Sequence, residues 1–404
     1  MNIINNNVKW KNDIVEYGFL LLLLFYNSTY TVLQHIFSNY KSLLGVVGYI
    51  LFGLAAASLI IRIRRVPRML WVIIWMLLSA IVYSCIYSEN LIHLRTIFSF
   101  PNVRKIWIVM LLFSVVNDPR KMLEYLRFIS YPIILVNIYG IFSGAYSDAL
   151  TGRYIYYMGF SYGILIWVTI NIQHIFADAG SVVNKICNSI FAFLLCLILA
   201  FYGSRGAVLS LMIFVIFCFF KYFSGKRKLI IISILTAAAV VIYLFWDLIF
   251  GGLVSITEKI GINSRNLYLL QESLLKSDTH RYNTVYKYCM ELIRSHPLVG
   301  RGIGADRVVG GGVDFYAHNL LLELCADFGV LIGAAIFIWI LWMGYKMLIR
   351  CKDRSWVKLY APFFVTSFVH LMFSSSLYLV YEFWIAIAVY YACRAQLRKE
   401  GKDF

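Results

Sequence analysis

Apolar residues in this chain come in blocks of about twenty, separated by short polar connections, and the pattern runs from residue 17 almost to the C-terminus. A helix of that length crosses the hydrocarbon core of a bilayer. The blocks predict about twelve spans, at 17–37, 42–61, 69–88, 92–117, 122–143, 155–177, 186–203, 206–222, 229–250, 329–349, 357–375 and 377–393. The fourth contains Arg95, Pro101, Arg104 and Lys105 and reads as a tilted or broken crossing. The expected fold class is therefore an all-α integral membrane protein, one polytopic domain over residues 1–404.

One interval breaks the rhythm. Residues 251–317 stay polar, too long for an ordinary helix–helix connection. Within them Arg281, Thr284, Lys287, Glu291 and Arg294 recur at helical spacing, with Val285, Tyr288, Cys289 and Leu292 on the other side. Asp278 or Thr279 can cap that helix and Pro297 stops it. A glycine-rich turn follows, read as flexible, and then His318-Asn319 opens an apolar segment expected to break at Gly329. Residues 330–349 suffice for a crossing, so 320–328, with Glu323 and Asp327, are surplus: a half-helix at the outer boundary, buried in protein. Charges at such depth are expensive and tend to be functional.

Composition sharpens this picture. The 404 residues are 61% hydrophobic and 14% charged, with a mean hydropathy of +0.76, more apolar than a soluble chain can bury. A net charge of +17 would suggest a nucleic-acid partner in a soluble protein. Here the excess lies in alternate connections: Arg62, Arg64, Arg65 and Arg68; Arg120, Lys121 and Arg127; Lys221, Lys226, Arg227 and Lys228. Arg350, Lys352, Arg354 and Lys358 continue it, then Arg394, Arg398, Lys399 and Lys402. Positive residues mark cytoplasmic connections, so both termini are expected inside and the loop 251–317 outside. No nucleic-acid partner is called for. The first block, preceded by Lys9, Lys11, Asp13 and Glu16, reads as a retained signal-anchor. Most cysteines fall in apolar stretches, which argues against a disulfide framework and against zinc.

Few residues on the outer side could carry chemistry. Arg205, in Gly-Ser-Arg-Gly, is either a snorkelling arginine at a tight turn or a guanidinium presented to an anion. Arg281 is a solvated helix charge or a second anion ligand, and Arg153, in Thr-Gly-Arg-Tyr, is a secondary candidate. His318 is a hydrogen-bonded helix-start residue or a general base, kept neutral by the positive end of the helix dipole. Asn319 could orient the imidazole or a sugar. The run Gly300-Arg301-Gly302-Ile303-Gly304 lacks the Lys-Ser/Thr of a nucleotide loop. No Asp-x-Asp pair stands near these residues, so neither a metal nor another cofactor is expected.

Three of these places also carry a likeness. His318-Asn319 followed by Gly329 and Gly333, the turn Gly203-Ser204-Arg205-Gly206, and RYNTVYKYCMELIRSHPLVGRGIG from Arg281 resemble motifs of the bacterial O-antigen ligase and O-antigen polymerase superfamily. The second glycine falls four residues after Gly329, where the family's usual spacing is three. The resemblance implies a GT-C-like membrane glycosyltransferase whose donor is a glycan on undecaprenyl pyrophosphate. It further implies Arg205 and Arg281 on the pyrophosphate, His318 as base, and no metal. The acceptor would be a lipid-linked repeat unit, giving polymerisation of O-antigen or capsular glycan, or a lipid A core, giving ligation. A chain-length regulator is a candidate partner, and the setting is the bacterial inner membrane. The competing class is a transporter or flippase of lipid-linked glycans, which predicts internal repeats and ionisable residues at mid-membrane.

Overall fold

The computed structural model describes residues 2–61, 67–146, 158–177, 203–223, 285–308 and 316–401, with scattered positions between 189 and 259. Among these no strand occurs, and helices account for nearly all the regular structure. They are α1 (Asn2–Ile36), α2 (Lys41–Ile61), α3 (Pro67–Ile86), α4 (Leu91–Ile97), α5 (Phe100–Phe113), α6 (Pro119–Phe142) and α7 (Met158–Ala177). Then follow α8 (Arg205–Tyr222), α9 (Lys287–Ser295), α10 (Ala305–Val308), α11 (Leu320–Tyr345), α12 (Arg354–Phe373) and α13 (Tyr381–Lys399).

Eight described helices are long and apolar enough to cross a membrane, or nine if a bent pair counts as one span. The protein is a multi-pass membrane protein. The expected span at 229–250 lies outside the described residues, as do Arg153 and Arg281, and that at 186–203 is described only in part. The bent pair is the fourth expected span: the segments Ser88–Ile97 and α5 meet at 48°. Proline explains the break. Ser99 is extended (ψ 151°) and Pro101 sits in the first turn of α5, where a missing N–H costs nothing.

The chain divides into two compact units, Met1–Ile129 with His280–Phe404, and Ser130–Thr279. In the first, α5 lies on α12 and α13 through aromatic pairs, Trp107 with Trp384 at 5.1 Å and Phe113 with Phe363 at 5.5 Å. In the second, α7 and α8 are joined by polar bonds: Ser204 N–H donates to Ser161 Oγ (2.8 Å) and Gln173 Nε2 to Tyr222 OH (3.0 Å). Lipid offers helices no hydrophobic drive to associate, so such bonds and close packing hold them.

Candidate functional site

The first unit assembles its site from residues 285–308 and the start of α11. Val285, Cys289, Leu292 and Ile293 recur at i, i+4, i+7 and i+8, so they form one buried stripe along α9 and the turn before it. The stripe packs on Ala305, Ala317, Leu321, Leu322, Cys325 and Ala326. Tyr288, expected on this face, is 41% exposed; it lies at the edge of the stripe, about 40° of helix rotation beyond Leu292. Burial pushes the Cys289 thiol up to about 12, with Asp306, Asp327 and Glu323 adding to the shift, so it is no nucleophile near neutral pH. The helix ends at Ser295, just before Pro297, as the sequence predicts.

The glycine-rich segment is a built turn and not a flexible one. Gly300, Gly302 and Gly304 all have positive φ (69°, 93° and 83°). That path delivers Arg301 N–H to the Ala326 carbonyl (2.9 Å) and Gly302 N–H to that of Asp327 (2.8 Å), while Val330 N–H returns to Pro297 O (2.8 Å). The carbonyls so satisfied are those left open where the helix stops at Gly329. On its other side the turn is held by Tyr83 OH on Val299 O, Asn90 Nδ2 on Arg301 O (2.8 Å) and an Arg301–Glu89 ion pair.

The helix α11 does break where the sequence places the break: Gly329 has φ 80° and ψ 166°. Gly333 explains the second glycine, since a Cβ there would stand 2.6 Å from the Leu324 carbonyl group, where the two halves meet. Glu323 and Asp327 in the half-helix are fully buried and neither binds His318 in the structure. Glu323 takes Ser376 Oγ–H and Leu377 N–H (2.9 Å), and Asp327 takes Tyr378 OH (2.7 Å). Both therefore fasten the connection between α12 and α13, a role local periodicity cannot show.

His318 stands just ahead of the half-helix. Its φ of 51° makes it the one non-glycine residue with positive φ among the described residues. Such backbone is strained and persists only where its surroundings enforce it. Its ring lies on Tyr316, centroids 4.0 Å apart, and Tyr316 OH donates to Ser374 O (2.8 Å). The histidine is thus tied to the same connection that Glu323 and Asp327 grip. Asn319 is the helix cap: its Oδ1 accepts from Leu321 N (3.0 Å) and Leu322 N (3.2 Å). The residue expected to orient the ring or a sugar thus also holds the helix start.

Sequence reasoning passed over Asp306 and Arg307 of α10. Asp306 Oδ2 accepts from Ala317 N–H (2.8 Å), which ties the turn to the backbone before His318. Burial pushes its carboxyl above the ordinary range while Arg307 pulls it back. The Arg307 guanidinium lies 5.8 Å from the centre of the Tyr316 ring. Their one sequence signal is the placement of two charges directly after the glycine turn.

In the second unit, Arg205 opens α8 behind Ser204, whose Oγ accepts from Ala207 N (3.2 Å). A side chain at Gly203 would collide with the Leu199 carbonyl, so glycine there permits a close backbone approach. A cation in the first helical turn opposes the dipole, so Arg205 is not placed there for helix stability.

These features define, among the described residues, a helical multi-pass membrane protein in which a glycine turn and a broken helix present a strained histidine. Residues 190–338 match the family model described as O-antigen ligase. The match supports the family whose motifs the sequence resembles, the O-antigen ligases and polymerases. No curated protein and no solved structure matches the chain.

Proposed function

We propose that the protein is a membrane glycosyltransferase that moves a glycan from undecaprenyl pyrophosphate to an acceptor hydroxyl at the outer face of the bacterial inner membrane. The observation that carries the reading is His318, held at positive φ by a scaffold of glycine turn, half-helix and α12–α13 connection. A strained, over-determined residue of this kind is a hallmark of functional positions. His318 takes the proton of the acceptor hydroxyl as that oxygen bonds to the anomeric carbon. The bond from that carbon to the pyrophosphate oxygen breaks, and undecaprenyl pyrophosphate leaves with the electron pair. Arg205 and Arg281 receive the departing charge; this pairing rests on the resemblance. Arginine forks suit pyrophosphate oxygens, and charge stabilisation can supply much of the rate without a metal.

Polymerisation is the first form of this reaction, because one lipid-linked substrate class then serves as both donor and acceptor. Ligation to a lipid A core is the second, favoured by the description of the matching family model. One experiment addresses both. Purified protein in detergent receives lipid-linked donor alone, then donor with lipid A core, and the glycan products are analysed. Longer chains from donor alone mark a polymerase, and core-linked glycan marks a ligase. Turnover should survive EDTA; loss restored by magnesium would overturn the metal-free account. Consumption of no donor would leave the transport reading standing.

A further inference from the structure

Two charged groups beside His318 are buried without being fully bonded. Asp306 is 6% and Arg307 3% exposed. Asp306 Oδ1 and Arg307 Nη2 find no hydrogen-bond partner among the described residues. A buried polar atom left unpaired costs stability, so it calls for a reason. The two residues are consecutive on α10, one offering an acceptor and the other a donor. The Tyr316 ring neighbours both the Arg307 guanidinium and the His318 imidazole.

An anion is the obvious occupant for a lone arginine, but the surroundings speak against it. Asp306, Glu323 and Asp327 lie close enough to interact electrostatically, and Arg307 is the one cation acting on both Asp306 and Glu323. A pyrophosphate offers oxygens that accept, so it could answer Arg307 Nη2 but would leave Asp306 Oδ1 facing another acceptor. A neutral polyol carries no such penalty. Adjacent sugar hydroxyls each donate and accept, so they match one acceptor and one donor side by side.

We propose that Asp306 and Arg307 form the subsite for the acceptor sugar, Asp306 Oδ1 accepting from one ring hydroxyl and Arg307 Nη2 donating to another. The subsite places the acceptor beside the histidine that deprotonates it, and so rests on the glycosyltransferase reading. It leaves the pyrophosphate to other residues.

The test uses two probes on the purified full chain in detergent. One is the repeat oligosaccharide released by mild acid from the host's own surface polysaccharide, free of phosphate. The other is inorganic pyrophosphate. Asp306→Asn and Arg307→Gln should each weaken oligosaccharide binding about tenfold or more, with pyrophosphate binding changed less than about twofold. Arg307→Lys keeps the charge and loses the fork, and should recover part of the affinity; it carries the same test if Arg307→Gln does not fold. Folded variants that lose pyrophosphate and keep oligosaccharide would make this an anion site and overturn the proposal. Unchanged binding of both probes, or no oligosaccharide binding by the wild type, would also overturn it. Wild-type protein that binds the oligosaccharide through these residues but transfers no glycan would keep the subsite and overturn the enzyme reading.

Discussion

At the scale of single residues, two neighbours at the start of α11 divide chemistry from structure. His318 at φ 51° occupies backbone that costs most side chains roughly 1–2 kcal/mol, and Asn tolerates it better than Ala does. His318→Asn therefore removes the imidazole with the least backbone penalty. Donor binding should stay within about twofold while single-turnover rate falls about a hundredfold or more, as expected on losing a general base. Lost binding with normal turnover of bound donor would make His318 a donor ligand. Asn319 should behave in the opposite way. Its side chain caps two backbone N–H groups, so Asn319→Ala should lower stability by about 1 kcal/mol, seen as earlier thermal unfolding in detergent. Asn319→Asp preserves the cap and should unfold near the wild type. A fall in donor affinity for Asn319→Asp with stability unchanged would give Asn319 a role in the site beside its cap.

At the scale of elements, the break in α11 and the turn that docks on it form one device. A side chain at Gly329 would collide with the Leu298 carbonyl and would hold a φ that only glycine adopts freely. Gly329→Ala should therefore cost more than the loss of the Asn319 cap and should uncouple the turn from the half-helix. Gly53 in α2 has open space around its Cβ position, so Gly53→Ala should unfold no earlier than the wild type. Equal unfolding temperatures for Gly329→Ala and Gly53→Ala would refute the docking account. Much of this device is legible in the sequence. The surplus length of 320–349 over one bilayer crossing exposes the half-helix, and Gly329 and Pro297 mark its end and that of α9. What the sequence hides is pairing at long range. Glu323 and Asp327 bond residues more than fifty positions away, and Gly300 to Gly304 satisfy carbonyls of another helix. Local periodicity carries no record of either. Asn319 is legible as polar and adjacent to His318; the cap, a preference common to every Asn at a helix start, is the role the structure adds.

At the scale of the whole molecule, the proposed reaction needs the loop 251–317 outside the cytoplasm, as the chain's charge pattern leads one to expect. Arg120 and Lys121 lie in the first turn of α6 with Arg127 two turns further on, and Arg350 and Lys352 lie between α11 and α12, with Arg354 and Lys358 in the first turns of α12. Short loops rich in Lys and Arg stay in the cytoplasm. Two exposed positions test this on described surface: Leu298, 68% exposed in the turn after α9, and Lys352 in the α11–α12 connection. Each is replaced by cysteine in a background where the exposed Cys85 has been changed to serine. An impermeant thiol reagent applied to intact spheroplasts should label Leu298→Cys and leave Lys352→Cys unlabelled until the membrane is permeabilised. The remaining described cysteines are buried or half-buried and should contribute little background. The reverse pattern would put His318 in the cytoplasm, away from an outer-face donor, and the proposed reaction would fall with it. Labelling of both sites before permeabilisation would mean that the connections do not alternate across the bilayer, against the charge pattern.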